Sequence, residues 1–322
     1  MSDTIETTSA IREPKRRSRF AAFWIRFLKE KPLGTACGII ILILILVAIF
    51  ADALAPYPHK EAHLIDRLQT PSAKYLLGTD HIGRDLLSRL IYGARISVLV
   101  GLAATAINVV VAVLIGGISG FLEGKVDLAV QRFVDAWIAF PGLLLLLTLV
   151  TVVGQGLLQI ILVLGIAGGV EGSRVVRGAV IAIKENDYFL AAQAVGTPTS
   201  QILIRHVLPN IIAPLIIIFS INIGGVIMTL AALGFLGYGL PPNIPDWGGM
   251  LSREGRRYME MAPWLALWPG LCLTIVVYSF NMFGDALRDL LDPRLRGGQG
   301  SYGITGKRKR GLLARLINPF RW

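Results

Sequence analysis

The chain of 322 residues is 54% hydrophobic and only 16% charged, with a mean hydropathy of +0.62. One soluble core of this length cannot hide so many apolar side chains, which excludes a soluble globular domain and implies a polytopic membrane protein. The net charge of +11 does not point to nucleic acid, because the basic residues crowd the ends of apolar segments, the positive-inside pattern.

Residues 1–18 are polar and lack periodicity, so a disordered tail is expected there. It is not a cleaved signal peptide, since the first apolar span is too long and no small-residue cleavage site follows it. Phe20, Phe23, Trp24, Phe27 and Leu28 then recur at helical spacing, with Arg19, Arg26, Lys29 and Lys31 off that stripe or at its flanks. This predicts an amphipathic helix on the cytoplasmic leaflet, stopped at Pro32, or a helix packed on another protein face. Leu33 to Ala51 is a charge-free run of bilayer length and predicts the first transmembrane helix. Cys37 lies in that run and Cys272 in a later one, so neither a disulfide framework nor a cysteine-based metal site is expected.

Asp52 to Arg95 is polar, contains Pro56, Pro58 and Pro71, and must be aqueous. Within it, LGTDHIGRDLLSRLIYGARIS (Leu77 to Ser97) predicts a turn over Gly78 to Gly83 and an apolar stripe leading into a second helix. Gly78, Thr79, Asp80, Gly83, Arg84, Asp85, Ser88, Arg89, Tyr92, Gly93 and Arg95 match a pattern that recurs in one permease family. The stretch closely resembles the segment before the second helix in permeases of binding-protein-dependent ABC importers of the dipeptide, oligopeptide and nickel branch. The resemblance is to the second, C-type permease of the pair.

Ile96 to Ile118 forms the second predicted span. Ala136 to Val170 is long enough to cross the bilayer more than once, and Gly154-Gln155-Gly156 breaks it into a hairpin of helices three and four. Helix four reaches the roughly 20 residues of a span only if it runs on through Glu171 and Arg174, which stand at i, i+3 and can pair. Asn210 to Gly239 supplies helix five and Pro263 to Gly284 helix six. Between them, Gly237 to Trp264 is rich in Pro, Gly and charge and stays in water. This segment and Phe280 to Arg294 again resemble the peptide-importer branch, so the likeness covers roughly Leu33 to Arg294. Beyond Gly297, residues such as Lys307 to Arg310 predict a solvated basic tail that can touch anionic lipid.

Charge sets the orientation. With the amino terminus inside, 23 of the 32 Lys and Arg residues fall on the cytoplasmic side and 9 on the other. Both termini are therefore expected in the cytoplasm, with six spans between them. The expected organisation is a cytoplasmic tail and interfacial helix (1–32), a first span with its extracytoplasmic segment (33–95), a five-helix core with a cytoplasmic loop at about 185–209 (96–294), and a basic tail (295–322).

That loop carries DYFLAAQAVGTPTSQILIRHVLPNIIAP, Asp187 to Pro214. Ala191, Ala192, Gly196, Leu208 and Pro209 fall in register with the EAA loop of the same permeases, whose Glu is replaced by Leu190 and whose Ile is replaced by His206. The resemblance implies an all-α, six-helix, type I ABC importer permease fold. It further implies a coupling helix seated in a partner ATPase, a second homologous permease chain, two ATPase subunits that bind the ATP, and an extracytoplasmic solute-binding protein. Asp52 to Arg95 and Gly237 to Trp264 are the candidate docking surface for the last of these.

Other motifs carry no such weight. Gly124-Lys125 has Ser119 at the glycine a phosphate loop needs and Val126 after the lysine, so no nucleotide cradle or other cofactor site is expected in this chain. His59 and His63 lack the HExxH order and lie beside Pro58. Gly117-Ile118-Ser119-Gly120 has no histidine in any predicted span to act as base. The alternative is a secondary transporter driven by an ion gradient, which usually buries carboxylates at mid-membrane. Asp135, Glu171 and Asp285 are all expected toward cytoplasmic helix ends, which disfavours it. Candidate pathway residues are the neutral polar groups inside the spans, Asn108, Ser220, Asn222, Thr229, Ser279 and Asn281.

Overall fold

The computed structural model describes residues 19–291; the expected tails at 1–18 and 295–322 lie outside them. Nine principal helices follow in order: α1 (Arg19–Glu30), α2 (Pro32–Ile49), α3 (Leu86–Leu122), α4 (Gly124–Ala139), α5 (Gly142–Val153), α6 (Leu157–Lys184), α7 (Asp187–Ala194), α8 (Leu208–Phe235) and α9 (Trp264–Leu291). Five of them, α2, α3, α6, α8 and α9, are long and apolar enough to cross a membrane. Helix three, expected within Ala136 to Val170, is the 12-residue α5, which is too short to cross alone. With α4 it forms a pair bent by 94° that is long and apolar enough only jointly, as one broken span or a re-entrant loop. Pro141 is the reason: it has no N–H to continue the ladder and biases Phe140 to an extended conformation, observed at ψ 140°. The turn at Gly154 falls where expected, with φ at +96°.

α3 begins ten residues before the expected Ile96, because the charges that interrupt the apolar run are accommodated within the helix. Asp85 caps it, accepting from Ser88 N at 2.8 Å, which satisfies one of the unpaired first-turn donors. Arg95 reaches Ala48 O (2.8 Å) and Ile49 O (3.0 Å), carbonyls at the end of α2 that have no partner inside their helix. Cys37, Ile41, Leu44 and Ala48 of α2 are buried, and the last three join the core formed with α3, α8 and α9.

The most extensive packing joins α3 to α6. Small residues allow it. A Cβ added at Gly116 of α3 would lie 2.9 Å from Arg177 N, and one at Gly169 of α6 would lie 2.9 Å from Asn108 O. α6 runs through Glu171 and Arg174 to Lys184, as its length required, yet those two residues do not pair. Arg174 bonds instead to Asp135 of α4, and Arg177 takes Asp127 of α4 with Nε at 2.6 Å and Nη2 at 2.5 Å. At that same end of the bundle, Phe27 of α1 is 2% exposed and packs on Phe283, Ala286, Leu287 and Leu290 of α9. The apolar stripe of α1 thus docks at Phe27 on protein, while Leu28 stays exposed.

Candidate functional site

Three structures could serve function: a polar knot at one end of the bundle, a half-open cavity between its helices, and a projecting segment at the other end.

The knot is built by the Leu77 to Ser97 motif. Gly78 (φ +84°) and Gly83 (φ +82°) take left-handed backbone that a side chain would strain, and fold Thr79 to Asp85 into a tight loop with Asp80 N on Arg84 O at 3.0 Å. Asp80, fully buried, accepts from the backbone N–H groups of Ile82 and Arg84, both at 2.9 Å, and from Arg84 Nε at 2.5 Å. Arg89, 1% exposed, bonds Asp80 and reaches across 165 residues to Glu254 Oε1 at 2.7 Å. Arg84 Nη2 joins the same oxygen at 3.0 Å. Burial opposes ionisation of Asp80, but the charges of Arg89 and Arg84 outweigh it and hold the carboxyl below the usual carboxylate range. Trp247 Nε1 donates to Leu90 O at 3.2 Å, and Asp246 caps the Trp247–Met250 turn, accepting from Gly249 N at 2.6 Å. Burial pushes the Asp246 carboxyl up. The segments 52–85 and 237–263 are thereby locked together. Asp80, His81 and Glu254 also bring potential metal-ligating atoms within 4.8 Å of one another. Two guanidinium groups already neutralise both carboxylates, so the cluster is a structural ion-pair knot. His63 rests on Glu61 at 3.0 Å and His59 on the Tyr92 ring, so the two histidines of that loop do not converge.

The cavity, about 160 Å³, lies between α3, α5, α6 and α8 and is lined by Asn108, Leu146, Gly168, Glu171, Asn222 and Thr229. Asn108 and Asn222, both candidate pathway residues, come together here with Thr229. Ser220, Ser279 and Asn281 do not. Ser220 is buried and donates to Ile216 O at 2.9 Å, Ser279 is buried in α9, and Asn281 lines a separate cleft with Thr274 and Tyr278. The expectation that Glu171 lies at a helix end is corrected. It stands midway along the 28-residue α6, some 21 Å from Leu157 at 1.5 Å per residue. The apolar run stops at Val170, but α6 continues because its polar half is covered by α3 and paired to α4 through Arg174 and Arg177.

The projecting segment begins at α7. Phe189, 1% exposed, is anchored among Val180, Ile183, Ile202, Val207 and Ile211. Ala191 is exposed and Ala192 partly buried. Gly196 has φ +78° and terminates α7 by a Schellman motif: Thr197 N bonds Ala192 O at 3.1 Å and Gly196 N bonds Gln193 O at 2.9 Å. A Cβ at Gly196 would meet nothing within 4 Å among the described residues. A π-helical turn, Leu203–Val207, then leads into Leu208 and Pro209 at the start of α8. Leu190 (52%), Val195 (85%) and Ile204 (65%) are left exposed. The five sequence-predicted residues therefore share one segment.

Five long apolar helices and one bent pair surround a polar-lined cavity, with short helical segments clasped at one end and a projecting helix at the other, an arrangement compatible with a membrane transport subunit. A family profile, binding-protein-dependent transport system inner membrane component, matches residues 112–297, and a second, the N-terminal TM domain of oligopeptide transport permease C, matches residues 18–71. The chain belongs to this family of ABC importer permeases. It is 36% identical to the glutathione transport system permease protein GsiD of Pectobacterium atrosepticum over 91% of this chain and 97% of that one. It is 39% identical to the dipeptide transport system permease protein DppC of Alkalihalophilus pseudofirmus, over 84% and 88%. It is 38% identical to a di/tripeptide transport system permease protein DppC of Pseudomonas aeruginosa, over 85% and 92%. A chain of the inward-facing MetNI methionine ABC transporter superposes with a TM-score of 0.52 at 20% identity, covering 63% of this chain and 96% of that one, which shows a shared fold. The ion-coupled alternative finds no support among these relatives.

Proposed function

We propose that the chain is one of two homologous permease subunits that together enclose the pathway of a peptide importer, or an importer of a related solute such as glutathione or a nickel chelate. Two ATPases bind and hydrolyse the ATP, a solute-binding protein delivers the substrate from outside, and this chain carries no nucleotide site or other cofactor. The likeness to peptide and glutathione permeases over more than four-fifths of the chain carries this reading. The chain resides in the inner membrane of a bacterium or archaeon with both termini cytoplasmic, as the distribution of Lys and Arg supports. The domain reading follows: interfacial helix, first span with outer segment, five-helix core, and basic tail. Segments 52–85 and 237–263 then face outward and receive the binding protein.

The segment from α7 to Pro209 is the coupling element, with Ala191, Ala192, Gly196, Leu208 and Pro209 as its site residues. Its geometry supports this: Phe189 ties it to the bundle while Leu190, Val195 and Ile204 offer an apolar surface to a partner in water. Asn108 and Asn222 belong to the pathway, and Ser220, Ser279 and Asn281 are helix-packing groups or line its margins. The experiment is reconstituted uptake. Transport should require ATP and both ATPases and survive collapse of the proton gradient, and Val195→Arg or Gly196→Arg should abolish ATPase co-purification at unchanged membrane levels. Uptake by this chain alone, stopped by an uncoupler, would overturn the reading.

A further inference from the structure

We propose that the cavity between α3, α5, α6 and α8 binds an organic ammonium group, with Glu171 as its counter-charge. Glu171, an exposed side chain, lines the cavity where it opens and has no hydrogen bond or ion pair among the described residues. Arg174, one turn on, is held by Asp135 instead. A Cβ at Gly142 would lie 3.7 Å from Glu171 Oε1, so the carboxylate stands beside the N-terminus of the 12-residue α5. The positive end of that helix favours an ionised carboxylate without using its lone pairs.

The second observation is Asn108. It is 4% exposed and its Oδ1 has no donor, a state buried polar atoms rarely keep unless something else supplies the partner. That oxygen faces the Gly172 side of the carboxamide, where a Cβ would stand 3.4 Å away, and Gly172 is the residue after Glu171. The carboxamide of Asn222 also lines the cavity without a partner among the described residues. Thr229 spends its hydroxyl proton on Gly225 O at 2.8 Å, so only its lone pairs remain for a ligand. The cavity thus presents one negative charge, with the carboxamide of Asn222, whose oxygen can accept, and the lone pairs of Thr229 beside it.

An ammonium, with three donors and no acceptor, is the complement. A carboxylate or phosphate would be repelled by Glu171, and a calcium-like dication wants six to eight oxygens and more charge than one carboxylate supplies. About 160 Å³ admits an ammonium with its first carbons. In a peptide the group is the amino terminus or a lysine-type side chain, and that part of the inference rests on the peptide reading above.

The test uses the assembled importer with Cys37 and Cys272 replaced by alanine and Thr229→Cys in the cavity. Methanethiosulfonate ethylammonium should label that cysteine at least about tenfold faster than the ethylsulfonate, and Glu171→Gln should bring the ratio near unity. An unchanged ratio in Glu171→Gln, or no labelling by either reagent, overturns the site. In a second arm with native Thr229, Glu171→Gln should lower uptake of alanyl-alanine about tenfold and leave its N-acetyl derivative unchanged. If the side-chain amine is the recognised group, the loss moves to N-acetyl-alanyl-lysine. Equal loss for all three peptides means a structural role and sinks the proposal. Charge-selective labelling with no uptake of any peptide by the native chain keeps the cation site and removes the peptide reading.

Discussion

Arg89→Met removes the centre of the knot while keeping most of the side chain's apolar volume. In the native chain two buried carboxylates, Asp80 and Glu254, share two guanidinium groups, with Arg89 Nη1 bonding both acids. Without it, Arg84 alone faces two negative charges, Asp80 fully buried and Glu254 1% exposed. Breaking a buried pair costs about 3–5 kcal/mol because an uncompensated charge remains. Arg84 still contacts both acids, so the lower end, about 3 kcal/mol, is expected. Adding Glu254→Gln should recover part of that loss, since the second mutation removes the charge left unpaired by the first. Unfolding of the purified chain in nanodiscs, followed by tryptophan fluorescence, is the assay, and Trp247 and Trp264 beside the knot are the reporters. Strict additivity of the two substitutions, or native stability in Arg89→Met, would refute the reasoning. Acid has a related effect. The Asp80 carboxyl titrates lower in the folded chain than in the unfolded one, so its contribution is present above the ordinary carboxylate range and is lost as pH falls through the folded value. Asp246 has the opposite sign: its raised value gives a contribution present below the ordinary range and lost as pH rises through the folded value.

Further outcomes follow from other parts of the fold. Single cysteines at the exposed Ser72 and Asn243 should react with an impermeant thiol reagent in intact cells and one at Val195 should not; labelling of the last would reverse the orientation and remove the coupling role. Gly116→Leu places a side chain against the α6 backbone, where overpacking costs about 1–3 kcal/mol or more, and should lower folded yield in a fluorescence size-exclusion assay, whereas Gly117→Leu, which meets nothing within 4 Å, should not.

The helical crossings were legible because each is a long apolar run, and the turn at Gly154 because glycines interrupt one. What the runs could not show is where charge is tolerated inside a helix. Arg89 interrupts the apolar pattern of α3, and its acceptor Glu254 lies 165 residues away, so the local stripe after Gly83 leads into the span without showing that Leu86 to Leu122 is one continuous helix. Glu171 was misplaced for the same reason: the covering partners of the polar half of α6 are on α3 and α4. The break at Pro141 did carry a local signal, Phe-Pro-Gly, hidden within a stretch read for hydrophobicity alone. The residues proposed for coupling come from resemblance, and the left-handed φ of Gly196 gives a local physical reason for a glycine at that position.

The close seam between α3 and α6 has a mechanical consequence. Two helices whose backbones nearly touch at Gly116 and Gly169 cannot slide past one another by a fraction of a turn without collision, so they behave as a single strut. Only Glu185 and Asn186 separate the end of α6 from α7. A displacement of α7 is therefore expected to reach Glu171 and Asn108 together, with their spacing preserved, so that the strut would tilt the cavity as a unit rather than squeeze it.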